Sequence, residues 1–171
     1  MRLTILRHAK SSWDELNLDD HNRPLNERGW KAARRIGREL KHRSLRFDFV
    51  LASTAVRVRE TIDGVREKYD FAAPIRFEPR VYMADAGTLL ELVRALPMDA
   101  KSALLVGHNP GLERLAVELS HDDQRGLRHR VSEKFPTAAL AVVELPAESW
   151  AEVQPGSGEI VELILPRELG D

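Results

Sequence analysis

The stretch Leu3-Thr4-Ile5-Leu6-Arg7-His8-Ala9-Lys10-Ser11-Ser12-Trp13 constrains the fold of this chain more than any other. A short, largely apolar run that stops on Arg7-His8 fits a buried parallel strand, covered on both faces. Such a strand delivers its next side chains to the carboxyl edge of the sheet, where open α/β sheets bind ligands. Two later runs have the same form. Phe47-Asp48-Phe49-Val50-Leu51-Ala52 stops at Ser53-Thr54, and Ala103-Leu104-Leu105-Val106-Gly107 runs into His108.

Helical periodicity separates these runs. Asn26 can cap a helix with Trp30, Ala33, Ile36 or Gly37 and Leu40 on its apolar face, leaving Lys31, Arg34, Arg35 and Arg38 largely in water. Val58, Thr61 or Ile62, Val65 and Tyr69 mark a second helix. Residues 74–77 read as a short strand and 80–86 as a loop. Thr88-Leu89-Leu90-Glu91 then suggests a capping box leading into a helix with Leu89, Leu92, Val93 and Leu96 on its face. Asn109 and Pro110 supply a cap and a first-turn proline for a helix carrying Leu112, Leu115, Ala116 and Leu119. Residues 121–134 are charged and irregular and read as a surface connection. Residues 138–145 form another core strand, and Pro155-Gly156-Ser157-Gly158 is a turn pairing 150–153 with 159–165 as an edge hairpin. The expected architecture is a three-layer α/β/α sandwich with a mostly parallel central sheet and an antiparallel C-terminal hairpin, in a single domain over residues 1–171.

Composition narrows the function. Lys+Arg 26 against Asp+Glu 27 leaves a net charge of −1, and no basic footprint with interleaved aromatics suggests nucleic acid. The absence of cysteine removes thiolate catalysis and thiolate-bound zinc. No run approaches the ~20 apolar residues of a membrane span, so the expectation is a cytoplasmic protein with no membrane partner. Asp14, Glu15, Asp19, Asp20 and His21 bunch in the polar loop 11–24, but without regular ligand spacing, so neither a metal site nor a cofactor is expected.

Arg7-His8, Arg57 and His108 each follow a different strand, and in a parallel sheet those ends share one edge. Arg57 falls in the first turn of the second helix, where a cation opposes the helix dipole by ~0.3–1 kcal/mol; helix propensity does not explain it, and a bound phosphate would. Guanidinium forks match phosphate oxygens, and a neutral imidazole nitrogen can attack phosphorus. Asp85, just before the third helix, has two readings: a cap for that turn, or a proton donor at the rim of the site.

Leu6-Arg7-His8-Ala9, Ser53-Thr54-Ala55-Val56-Arg57-Val58-Arg59-Glu60-Thr61 and Val106-Gly107-His108-Asn109-Pro110-Gly111 resemble the three blocks of the histidine phosphatase superfamily, whose fold is phosphoglycerate mutase-like. Residues 7–13 with Arg23-Pro24-Leu25-Asn26-Glu27-Arg28-Gly29 are most similar to SixA-type phosphohistidine phosphatases. The resemblance implies that His8 is the nucleophile and becomes transiently phosphorylated, without metal. Arg7, Arg57 and His108 would bind the transferring phosphoryl group, with Ser11 and Asn109 also lining its pocket. Ala9 stands where the family usually has glycine, and Asp14 where related mutases carry a phosphate-contacting asparagine; a carboxylate there would repel phosphate. No residue matches the general acid of larger members, so Asp85, Asp14 and Glu91 are the candidates, or the substrate supplies the proton. The partner implied is a phosphohistidine protein or a small phosphate ester as substrate, and the chain itself is expected to be a monomer or weak dimer. A small-molecule phosphomonoesterase or mutase is the first alternative, and a non-catalytic phospho-ligand module the second. The short chain lacks room for lid insertions, which favours an open site.

Overall fold

A computed structural model describes residues 1–170. Its centre is a six-stranded sheet in the order β3-β2-β4-β1-β5-β6. The strands are β1 (Arg2–Arg7), β2 (Phe49–Ala52), β3 (Ile75–Phe77), β4 (Ser102–Gly107), β5 (Leu140–Glu144) and β6 (Glu159–Ile164). β1, β2, β3 and β4 pair in parallel, while β5 runs antiparallel to both β1 and β6. Side chains alternate between the two faces, as the strand period requires. Leu3, Ile5, Ala103 and Leu105 join one core, while Leu6, Leu104 and Val106 join the other. The second core lies beneath α1 (Glu27–His42) and α2 (Val56–Arg66); the first lies beneath α3 (Ala86–Arg94), α4 (Gly111–Leu119) and α5 (Leu127–Glu133). The three-layer sandwich is therefore the observed architecture, and apolar runs covered on both faces are its cause.

Several local expectations change. The cap of α3 is Asp85, whose carboxylate accepts from the Thr88 amide at 2.8 Å, so the helix begins before the expected capping box. α4 begins at Gly111, with Asn109 Oδ1 accepting weakly from the Glu113 amide at 3.3 Å. Within 121–134 a helix forms after all. Leu127 and Val131, one helical turn apart, bury against the sheet, and the Asp123 carboxylate accepts from the Leu127 and Arg128 amides. The C-terminal pairing also differs: β6 lies against β5, while residues 150–152 form a 3₁₀ turn. Trp150 explains this, because its ring is buried and its indole N–H donates to the Ala100 carbonyl, holding the segment away from the sheet edge.

The start of α1 is joined to the chain just after β1. Asn26 caps the helix by accepting from the Gly29 amide at 2.8 Å, and its own amide donates to the Lys10 carbonyl at 3.0 Å. A Cβ at Gly29 would overlap that same carbonyl oxygen. Glycine is required there by backbone approach. Gly29→Ala is therefore expected to cost about 1–3 kcal/mol of stability, measured by urea denaturation, and to displace residues 8–11; a variant as stable as the parent would refute the close approach.

Candidate active site

β1 and β4 are hydrogen-bonded neighbours in parallel register, with Arg7 opposite Gly107. The residues that follow, His8 and His108, are therefore brought side by side, their ring centroids 5.3 Å apart. β2 adjoins β4, and the turn after it starts α2 with Arg57 in the first turn. The four residues predicted to converge at the carboxyl edge all line one cavity of about 560 Å³. Ser11 and Asn109 line it too.

His8 is buried, and its Nδ1 lies 2.7 Å from the Ala9 carbonyl oxygen. A carbonyl only accepts, so Nδ1 carries the proton and Nε2 keeps its lone pair. Burial lowers the His8 pKa to about 4, with Arg57, Arg7 and Arg23 adding to the effect. The ring is thus neutral at pH 7. His108 is assigned in the same way: Arg57 Nη2 donates to its Nδ1 at 3.3 Å, leaving Nε2–H to donate to Ser53 Oγ at 2.8 Å. Burial and then Arg57 lower its pKa to about 3.

The two arginines are incompletely satisfied. Arg7 donates through Nη1 to the Phe135 carbonyl, and Arg57 to the Asp20 backbone and carboxylate, yet the buried Nε of each has no hydrogen-bond partner. Burial lowers the Arg7 pKa, as does the charge of Arg57. Two cations that repel each other at the wall of one cavity give it the charge that an anion requires.

The backbone around the site is held from several sides. The Ala9 amide donates to Thr61 Oγ1 on α2, and that hydroxyl donates to the Arg57 carbonyl, so one threonine ties both functional segments together. The Ala138 amide donates to the Arg7 and His8 carbonyls. Ala9, in the family's glycine position, is absent from the residues with left-handed backbone among those described, so its Cβ introduces no torsional strain.

The acid candidates lie elsewhere. Asp85 is exposed and committed to capping α3, and the Thr88 amide holds its carboxyl below the usual range. Asp14 is exposed and does not line the cavity, while Glu91 pairs with Arg80 at 3.0 Å on the surface of α3. Among the described residues the one carboxylate lining the cavity is Asp20. Tyr82 donates its hydroxyl to Asp20 Oδ2, which also meets Arg57 at 3.0 Å; Oδ1 takes Arg23 Nη2 at 3.0 Å. The Tyr82 hydroxyl, Arg23 and Arg57 together hold its carboxyl far below the ordinary value, so it is a fixed anion. Arg23 in turn donates to Ser11 Oγ at 2.6 Å and stacks on Trp13. Asp20 and Arg23 were not assigned roles from sequence. Their three-residue spacing beside the Arg23-Pro24 block was the available signal. Among the described residues, no group of three or more His, Asp or Glu could hold a metal ion, and no helix is long and apolar enough to cross a membrane.

Because both histidines have folded pKa values below the unfolded value of about 6.5, their contribution to stability is fully present above that pH. It is lost as the pH falls from about 6.5 through about 4 for His8 and about 3 for His108, since the unfolded chain then binds more protons. The urea midpoint is expected to fall across that window, less steeply in His8→Gln. In nitrogen-15 spectra His8 should remain a neutral Nδ1–H tautomer at pH 5.5; a ring titrating near 6.5 would contradict the burial argument.

The family model of the histidine phosphatase superfamily (branch 1) matches residues 3–95. An uncharacterized protein of Mycobacterium tuberculosis is 36% identical over 164 residues, which cover 95% of this chain and all of that one. A structure from Nakamurella multipartita, provisionally named phosphohistidine phosphatase SixA, superimposes with a TM-score of 0.84 at 26% identity, over 96% of this chain and 95% of that one. A similarly named protein of Agrobacterium tumefaciens gives 0.79 at 30% identity, over 96% and 97% of the two chains. With two buried histidines and two arginines gathered at one sheet edge, and with these matches, the chain belongs to the histidine phosphatase superfamily.

Proposed function

We propose that the protein hydrolyses protein phosphohistidine through a covalent phospho-His8 intermediate. The observation that carries this reading is a neutral His8 whose Nδ1–H is held by the Ala9 carbonyl, beside the free buried Nε groups of Arg7 and Arg57. Nε2 attacks phosphorus as the substrate P–N bond breaks. Arg7 and Arg57 take the phosphoryl oxygens, with His108 beside them. His8 is then a phosphoimidazolium that keeps its Nδ1 proton on the Ala9 carbonyl. Water adds to phosphorus in the second step, the P–Nε2 bond breaks, and the ring leaves as the neutral imidazole it was at the start; inorganic phosphate carries away the proton from water.

The substrate class follows from the leaving group. Asp20, the carboxylate at the cavity, is held ionised and has no proton to give. An alkoxide leaving group needs one. A substrate phosphohistidine protonated at its distal nitrogen departs as neutral imidazole and does not. Reading the name of the similar SixA structures across to this chain supports the same choice.

Acid-quench trapping with a labelled phosphohistidine donor should place acid-labile label on the wild type and none on His8→Ala; unlabelled wild type that binds the donor without turnover would replace the enzyme with a binding module. Arg57→Ala should lose about 3–4 kcal/mol of transition-state stabilisation, as removal of a preorganised oxyanion donor does. Arg59→Ala is the control, because Arg59 is exposed and packs over Phe77, and it should change kcat/KM little. Phosphoramidate should be hydrolysed ~10²-fold or more faster than phosphoserine, the lower end of what a general acid contributes; comparable rates would favour a phosphomonoesterase.

A further inference from the structure

A second groove, of about 460 Å³, opens directly from the active cavity, and Lys10, Lys134, Pro136 and Thr137 line both. Its other walls are the first half of α1 and the segment after β6. Among the described residues, six basic ones line it, Lys10, Arg28, Lys31, Arg35, Lys134 and Arg167, and no carboxylate does. In a chain of net charge −1 this is a concentration of one sign, built from four separate parts of the sequence. The reaction described above uses none of Arg28, Lys31, Arg35 or Arg167. Among the described residues, Lys10, Arg28, Lys134 and Arg167 are exposed, so their charges face solvent.

We infer that this groove holds an acidic polypeptide segment flanking the phosphorylated histidine, an inference that rests on the phosphohistidine reading above. From Arg28 to Arg35 the helix advances about 10 Å at ~1.5 Å per residue, which is room for about three extended residues at ~3.3 Å each. Acidic side chains at those positions meet the basic walls while the phosphohistidine reaches the cavity. The rim favours a polypeptide over a small anion. Trp13 and Met83, both exposed, line the cavity mouth, and exposed Leu16 lies in the loop that carries Trp13. Exposed aromatic and methionine side chains beside a charged groove have the composition of a protein contact surface.

The test uses two synthetic phosphohistidine peptides, one with three glutamates on each side of the phosphohistidine and one with three glutamines, and phosphoramidate as a small donor. The enzymes are wild type and the double variant Arg28→Glu/Arg167→Glu, with thermal melts to establish that the variant folds. At low ionic strength the wild type should prefer the acidic peptide in kcat/KM by about tenfold or more, and that preference should shrink at 0.3 M salt, a concentration at which the Debye length is only about 5–6 Å. The variant should lose the preference while its kcat/KM on phosphoramidate and on the neutral peptide stays within about twofold of wild type. Equal wild-type rates on the two peptides, with phosphoramidate still turned over, would overturn the groove assignment and leave the phosphohistidine reading standing. A variant slowed equally on peptide and phosphoramidate would overturn it too, assigning the basic groove to the reacting phosphoryl group. A wild type that hydrolyses neither peptide nor phosphoramidate would overturn both readings together.

Discussion

Like charge is held against like charge in a desolvated pocket, and the rest of the site is arranged around that constraint. Arg57 is buried and Arg7 partly buried, and each lowers the stability of charge on its neighbours. Such burial is tolerable only where dipoles and anions compensate it. The Phe135 carbonyl and the Asp20 carboxylate do part of this, and two guanidinium Nε groups are left over. Under the proposed function, the positive charge that is left uncompensated is what a phosphoryl group would meet. Burial, with the same field, keeps both histidines neutral, so the charge proposed to receive a phosphoryl group also leaves the His8 Nε2 lone pair unprotonated.

Topology supplies the positions. Parallel pairing of β1 with β4 makes His8 and His108 neighbours, and the Gly107 carbonyl accepts the His8 amide across the pair at 3.0 Å. α2 contributes Arg57 and the Thr61 hydroxyl from adjacent turns of one helix, so the backbone just after His8 and the Arg57 segment are braced by the same element. The 3₁₀ turn at Asp20–Asn22 packs on α2 and brings a carboxylate to a helix start that has no side-chain cap. A cation in that first turn is unfavourable to the helix dipole. Asp20 offsets it, which gives this carboxylate a structural reason to stand among the arginines of the cavity.

Legibility followed the range of the interactions involved. Strand runs, the α1 cap at Asn26 and the apolar faces of the early helices depend on residues within a few positions of each other, and they were readable. The short α5 was hidden because only Leu127 and Val131 face the sheet and the rest of the segment is charged. The partner of β6 was misassigned because proximity in sequence favoured 150–153, whereas burial of Trp150 and its bond to Ala100, fifty residues away, fixed that segment elsewhere. The expected acid, Asp85, satisfied a local pattern in two ways, and the helix amide decided between them.

By itself the sequence determined the layered α/β class, the three strand ends that would share an edge, and the residue types able to bind and attack a phosphoryl group. These depend on side-chain periodicity and on chemistry intrinsic to each residue. The tertiary structure alone decided which carboxylate enters the site, which imidazole nitrogen is free, how low the histidine pKa values fall, and that basic residues from α1, the segment before β5 and the segment after β6 line a single groove. Burial and field are sums over neighbours contributed by distant parts of the chain, and no local pattern contains that sum.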